Sequence, residues 1–116
     1  MVTISEFEEI LHQGVVSKRK VIVKLSATWC GPCKRIQPAW KKLKDLYSLE
    51  TKFIILELDV DESIELYTAL KRKRMVNGIP AFLLWEPRPR NEWYIHDNGI
   101  CNGDPNIIKL WIQNIL

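Results

Sequence analysis

Two cysteines stand three positions apart in the run Ala27-Thr28-Trp29-Cys30-Gly31-Pro32-Cys33-Lys34. Thiols at this spacing can be bridged and reopened, so the chemistry they offer is thiol–disulfide exchange. If Cys30 attacks a disulfide, a mixed disulfide forms. Cys33, already in reach, can then attack that bond and leave Cys30–Cys33 oxidised, which completes a two-electron cycle. A lone Cys-x-x-Cys is also half of a zinc site. The surrounding sequence favours the redox reading.

Upstream, Val21 to Ala27 is β-branched and mostly apolar, as a buried strand would be. Downstream, Ile36, Trp40, Leu43 and Tyr47 recur at helical spacing. Cys30 therefore falls at a helix N-terminus, where unsatisfied N–H groups and the positive end of the helix dipole favour a thiolate. Cys30 is the expected nucleophile, and Cys33, one turn inside, the less exposed resolving thiol.

The other elements follow from similar patterns. Val2-Thr3-Ile4 reads as a short edge strand, and Ser5 with Glu8 as a capping box opening a helix that Gly14 would stop. Phe53 to Asp59 is apolar enough for a central strand. A helix then starts at Asp61 or Ser63 and runs through Ile64, Tyr67 and Leu70. Ala81–Trp85 and Trp93–Ile95 read as a hairpin pair, and Asp104-Pro105 as an N-cap and first helical residue before Ile108, Trp111, Ile112 and Ile115. The predicted class is α/β, a central mixed sheet flanked by helices, in the order β-α-β-α-β-α-β-β-α.

With 116 residues the chain fits one domain, residues 1–116, with a substantial core. Its 47% apolar and 27% charged residues suit a soluble globule. The net charge of +3 is no nucleic-acid signature, and no aromatic or glycine interleaving suggests base stacking. The N-terminal segment is too acidic for a signal peptide, and no stretch approaches a membrane span. A cytoplasmic monomer is expected, and the odd cysteine count argues against a secreted disulfide scaffold.

With this element order, Trp29-Cys30-Gly31-Pro32-Cys33-Lys34 resembles the active-site segment of the thioredoxin family. Pro38 matches the family's helix proline, Ile79-Pro80 its cis-proline after Val76-Asn77-Gly78, and Gly103, with Gly99 the alternative, a groove-lining glycine. The resemblance implies the thioredoxin fold and reduction of protein disulfides without a bound cofactor. Reducing equivalents would come from NADPH through a flavoprotein reductase. It further implies that Trp29 covers the site and that the Ile79 backbone bonds an extended client segment. Pro80 would keep competing groups off the sulfurs, and Gly31-Pro32 resembles the spacer of reducing members.

The chain departs from the family pattern at Lys24, where most members bury an aspartate beneath the resolving cysteine. Glu57 stands on a neighbouring strand where some bacterial members carry the partnering lysine. The expectation is an inverted Lys24–Glu57 ion pair, with Glu57 as proton acceptor and Lys24 favouring thiolate; the alternative is a Lys24 that snorkels to solvent.

Lys71-Arg72-Lys73-Arg74 and the connection Glu86-Pro87-Arg88-Pro89-Arg90-Asn91 look longer and more basic than in compact members. They motivate a second reading, a noncatalytic adaptor whose dithiol only switches partner binding. Cys101 is read as a simple cysteine near the end of the last strand. No metal is expected, because a site of Cys30, Cys33, His96 and Cys101 would need distant elements to converge.

Overall fold

The computed structural model describes residues 1–116. Nine elements follow one another: α1 (Ile4–Ser17), β1 (Val21–Ser26), α2 (Gly31–Leu46), α3 (Leu49–Lys52), β2 (Ile54–Asp59), α4 (Ile64–Arg72), β3 (Ala81–Trp85), β4 (Asn98–Cys101) and α5 (Pro105–Ile115). The sheet has four strands in the order β2-β1-β3-β4. β1 runs parallel to β2 and antiparallel to β3, and β3 pairs antiparallel with β4. The sheet is therefore mixed, as expected.

Alternation along the strands divides the core between the two faces of the sheet. Val21, Val23, Leu25, Leu83 and Trp85 pack with Phe7 and Leu11 of α1 and with Leu66 and Leu70 of α4. Ile22, Phe82 and Leu84 pack on the other side with Ile36 and Trp40 of α2 and Ile108, Trp111 and Ile112 of α5. Lys24 is the polar member of the second face.

The N-terminus differs from the sequence expectation. Val2-Thr3-Ile4 is not a strand, because Thr3 caps α1: its hydroxyl accepts from the Glu6 N–H at 3.1 Å and Glu6 Oε1 accepts from the Thr3 N–H at 3.1 Å. The capping box thus sits two residues before the Ser5–Glu8 pair. Val2 donates its N–H to Ser63 Oγ at 3.1 Å instead of joining the sheet. β2, read from its composition as a central strand, is instead an edge of the four-stranded sheet.

Gly14 does not stop α1. The helix ends at Ser17 with Lys18 as a left-handed C-cap, φ 58°, and Gly14 is needed for close packing. A Cβ there would lie 3.0 Å from both Val21 Cγ2 and the Arg19 carbonyl oxygen. The short α3, entered through Ser48 at φ 51°, has no counterpart in the sequence reading. Of the two expected starts for α4, the structure uses Ser63.

The last strand also moves. Trp93–Ile95 is irregular and the partner of β3 is Asn98–Cys101. Two interactions explain this. Trp93 covers α1, its ring 5.8 Å from Phe7, while its carbonyl accepts from Trp85 Nε1 at 2.7 Å. Asp97 then gathers both arginines of the proline-containing connection: it pairs with Arg88 and, at 2.6 Å, with Arg90, and accepts the Glu86 N–H at 2.7 Å. The observed order is α-β-α-α-β-α-β-β-α.

Phe7, fully buried, meets Trp85 edge-on at 4.9 Å and anchors α1 to the sheet. Phe7→Ala should cost about 3–5 kcal/mol of unfolding free energy. Urea denaturation followed by tryptophan fluorescence measures this, and a loss below about 1 kcal/mol, the scale of one methylene, would mean that α1 does not depend on this ring.

Candidate active site

β1 delivers the chain through Ala27-Thr28-Trp29 to Cys30, which is the N-cap of α2 with extended backbone (φ −86°, ψ 111°). Gly31 and Pro32 occupy the first positions of the helix, where proline's missing N–H is no loss. Cys33 follows one turn in. The Cys33 N–H donates to Cys30 Sγ at 3.2 Å, so the sulfur fills the role that a serine or aspartate oxygen usually has at an N-cap. The two sulfurs are bonded, with Cα atoms 5.2 Å apart. In this disulfide the cysteines are almost equally buried, 5% and 4% exposed, so the expected difference in exposure is absent.

The remaining expected groups surround the sulfurs. The Ile79–Pro80 peptide is cis, and the Ile79 carbonyl oxygen lies 4.0 Å from Cys30 Sγ. Gly103 closes the same corner: a Cβ built on it would come within 3.2 Å of Pro32 Cβ and 3.8 Å of Pro80 Cγ. Gly99, the alternative, lies instead against Leu83 and His96 on β4. Trp29 is 67% exposed and donates its indole N–H to Asp61 Oδ2 at 2.8 Å. Sequence reasoning assigned Asp61 only as a helix start, and nothing in its spacing marked it as the tether of Trp29. Pro38 lies inside α2, which nevertheless continues to Leu46.

Lys24 and Glu57 are register partners on adjacent strands, yet they form no ion pair. Lys24 Nζ donates to Gln37 Oε1 at 2.6 Å, whereas Glu57 accepts from Trp40 Nε1 at 3.0 Å and binds Lys44 Nζ at 2.7 Å. The long side chains of α2 thus intercept both groups before they meet. Lys24 is 3% exposed and does not snorkel to solvent. Burial pushes its amine below the usual lysine range; the Glu57 charge opposes that shift and the Lys44 charge adds to it. For Glu57, burial acts to raise the carboxyl, but the hydrogen bonds from Lys44 and Trp40 outweigh it and hold the group below its ordinary value.

Cys101 is exposed at the end of β4, its sulfur 3.6 Å from the Gly78 carbonyl. No group of three or more His, Cys, Asp or Glu is gathered to hold a metal ion. Four cations of the basic segments have partners within the fold. Lys71 lies over the Tyr67 ring at 5.7 Å and Lys73 over Tyr94 at 4.3 Å, while Arg88 and Arg90 converge on Asp97.

A mixed sheet whose central strand ends at a Cys-Gly-Pro-Cys turn, facing a cis-proline, defines the class of thioredoxin-fold dithiol proteins, and comparison with known proteins agrees. Residues 1–98 match the family model described as Thioredoxin. Thioredoxin 1 of Plasmodium falciparum is 34% identical over 82 residues, covering 71% of this chain and 68% of that protein. Horse thioredoxin is 43% identical over 58 residues, and the match spans half the length of each chain. Among solved structures, a Plasmodium falciparum thioredoxin superposes with TM-score 0.72 at 25% identity over 100% of this chain and 97% of that one. The reduced Schistosoma mansoni thioredoxin pre-protein gives 0.71 at 26%, over 100% and 95%. The chain belongs to the thioredoxin family, and its Cys30–Cys33 pair makes it a thiol–disulfide oxidoreductase.

Because the folded pKa of Glu57 is depressed, its contribution to stability is present above the unfolded carboxyl pKa of about 4.3 and is lost as pH falls through the folded value. Glu57→Gln should therefore flatten the fall in stability between about pH 5 and pH 3, and cost about 1 kcal/mol at neutral pH. Urea titrations across that range test this, and parallel curves for parent and variant would reject it.

Proposed function

We propose that this protein reduces disulfides in client proteins, with Cys30 as nucleophile and Cys33 as resolving thiol. The observation that carries the reading is the bonded sulfur pair at the start of α2, with Cys30 next to Ile79 and beside a corner formed by Pro32, Pro80 and Gly103. In the reduced state, the N-terminal N–H groups of α2 favour a Cys30 thiolate. That thiolate attacks one client sulfur, and the other client sulfur leaves and takes up a proton. Cys33 then loses its proton and attacks Cys30 Sγ. The Cys30–Cys33 bond forms as the Cys30–client bond breaks, and the second client sulfur is protonated. Two electrons pass to the client and the protein is left as the disulfide.

The Ile79 backbone is assigned to an extended client segment by strand-like hydrogen bonding, with Trp29 as an apolar platform. Gly31 and Pro32 set the turn that separates the sulfurs. The chain needs no bound cofactor, and its disulfide is to be reopened by an NADPH-dependent flavoprotein reductase. No helix is long and apolar enough to cross a membrane. Cytoplasm is the proposed compartment, where thiols are kept reduced. The adaptor reading asks the basic segments for the main partner contact, and four of their cations, Lys71, Lys73, Arg88 and Arg90, already bind Tyr67, Tyr94 and Asp97.

Cys30→Ser should lower the reduction of insulin disulfides by dithiothreitol to the uncatalysed rate. Cys33→Ser should instead accumulate a client adduct on Cys30, detectable by mass spectrometry. Catalysis surviving in Cys30→Ser would overturn the assignment of the nucleophile.

Gly103→Leu should fill the corner against Pro32 and Pro80 and reduce kcat/KM for insulin roughly tenfold, the equivalent of about 1.4 kcal/mol. Its reduction by a small thiol should stay within about twofold of the parent, a change below 0.5 kcal/mol. Equal loss toward both substrates would place the effect at the sulfurs and not at client binding.

A further inference from the structure

Lys24 is the one charged side chain among the buried residues of the core. It lies in the middle of β1, and its single hydrogen-bond partner is the neutral Gln37. The structure brings no carboxylate to it: Glu57, the nearest by strand register, is held by Trp40 and Lys44. A buried ammonium without a counter-ion is costly, and an aliphatic residue would extend the surrounding core. What sets the position apart is its neighbour, because Lys24, Gln37 and Cys33 line one open cleft of about 290 Å³ with Ser26, Ala27 and Lys34.

We propose that Lys24, oriented by Gln37, is a positioning residue whose ammonium stabilises the thiolate of Cys33 during the resolving step. This rests on the dithiol reading above and adds to it the group that makes the second sulfur reactive. The step balances simply. Cys33 gives its proton to water in the cleft and its thiolate is held by the ammonium. The thiolate then attacks Cys30 Sγ, and the departing client thiolate takes a proton from solvent. Lys24 keeps its own proton throughout.

The charged groups facing Lys24 are few. β2 contributes Glu57, α2 contributes Lys34 and Lys44, and the β3 register partner is the uncharged Phe82. Glu57 is occupied by Lys44, so the anion still missing beside Lys24 is the Cys33 thiolate of the reduced protein. A charge in this partly desolvated cleft is felt more strongly than in bulk water. The lowered basicity of the Lys24 amine is consistent with an ammonium that lacks a carboxylate partner in the disulfide state.

The test uses the full chain with Cys30→Ser and Cys101→Ser, which leaves Cys33 as the single thiol, titrated by its ultraviolet thiolate absorbance. Adding Lys24→Met should raise the pH midpoint of Cys33 ionisation by about one unit, equivalent to a roughly tenfold smaller thiolate fraction at neutral pH. Lys24→Arg, which keeps the charge, should stay close to the parent. If Lys24→Met does not fold, Lys24→Gln carries the same expectation. A midpoint that does not move on removing the charge, or an arginine variant that behaves like methionine, overturns the proposal. These outcomes are separate from those for the dithiol function: loss of insulin reduction in the parent would strike at that function, whereas an unmoved Cys33 midpoint strikes at Lys24 alone.

Discussion

The hydrogen bond from the Cys33 N–H to Cys30 Sγ joins the fold to the chemistry. A helix N-terminus leaves N–H groups without intrahelical partners, and the usual remedy is a side-chain oxygen at the N-cap. Here the cap is a sulfur. Its position is set by β1, whose residues Val21 to Leu25 are all buried and so fix where the strand can end. The same geometry that satisfies the helix places the second cysteine one turn along, packed with Ala27, Val60 and Ala81. Local helix capping and the dithiol pair are therefore one arrangement seen from two sides.

Lys24 shows how the second face of the sheet bears on that arrangement. Ile22 and Phe82 make this layer dry, and a lysine in it is tolerated because α2 supplies Gln37 from one turn beyond Cys33. α2 also supplies Trp40 and Lys44, which take up Glu57. One helix thus carries the Cys33 sulfur, the partner of the buried cation and the partners of the facing anion. The register of α2 against β1 and β2 matters to the site more than any single contact does.

The parts of the molecule legible in the sequence were those encoded by local pattern and short motif. β1, α2, β2 and α5 have unmistakable periodicity or caps, which put Cys30 and Cys33 at a helix start, whereas Pro80 and Gly103 were expected at the site only through the resemblance to the thioredoxin family. The errors arose where alternatives were separated by long-range partners. Thr3 and Ser5 both open a plausible capping box, and the choice depends on Val2 reaching Ser63, distant in the chain. Trp93-Tyr94-Ile95 has strand composition, but Phe7 recruits Trp93 to the core and Asp97 collects two arginines, which delays pairing until Asn98. Lys24 and Glu57 do stand on neighbouring strands, but the expected ion pair between them does not form. The reach of Lys44 and Gln37 from α2, which takes up the two groups separately, is not visible in strand order.

At the border of the sheet β2 has one free side, a position that invites pairing with another chain. The sequence blunts this edge by composition and by cover. Glu57, exposed in the middle of β2, is drawn to Lys44 and Trp40 of α2, so a second strand approaching there would meet an ion pair beside the edge. At the entrance to the strand, Arg19 donates to the carbonyls of Glu50 and Phe53, at 3.2 and 2.6 Å, tying the end of α3 to the start of β2. The free length between these guards is short. β1, one place in from this defended edge, keeps both neighbours that fix the position of Cys30.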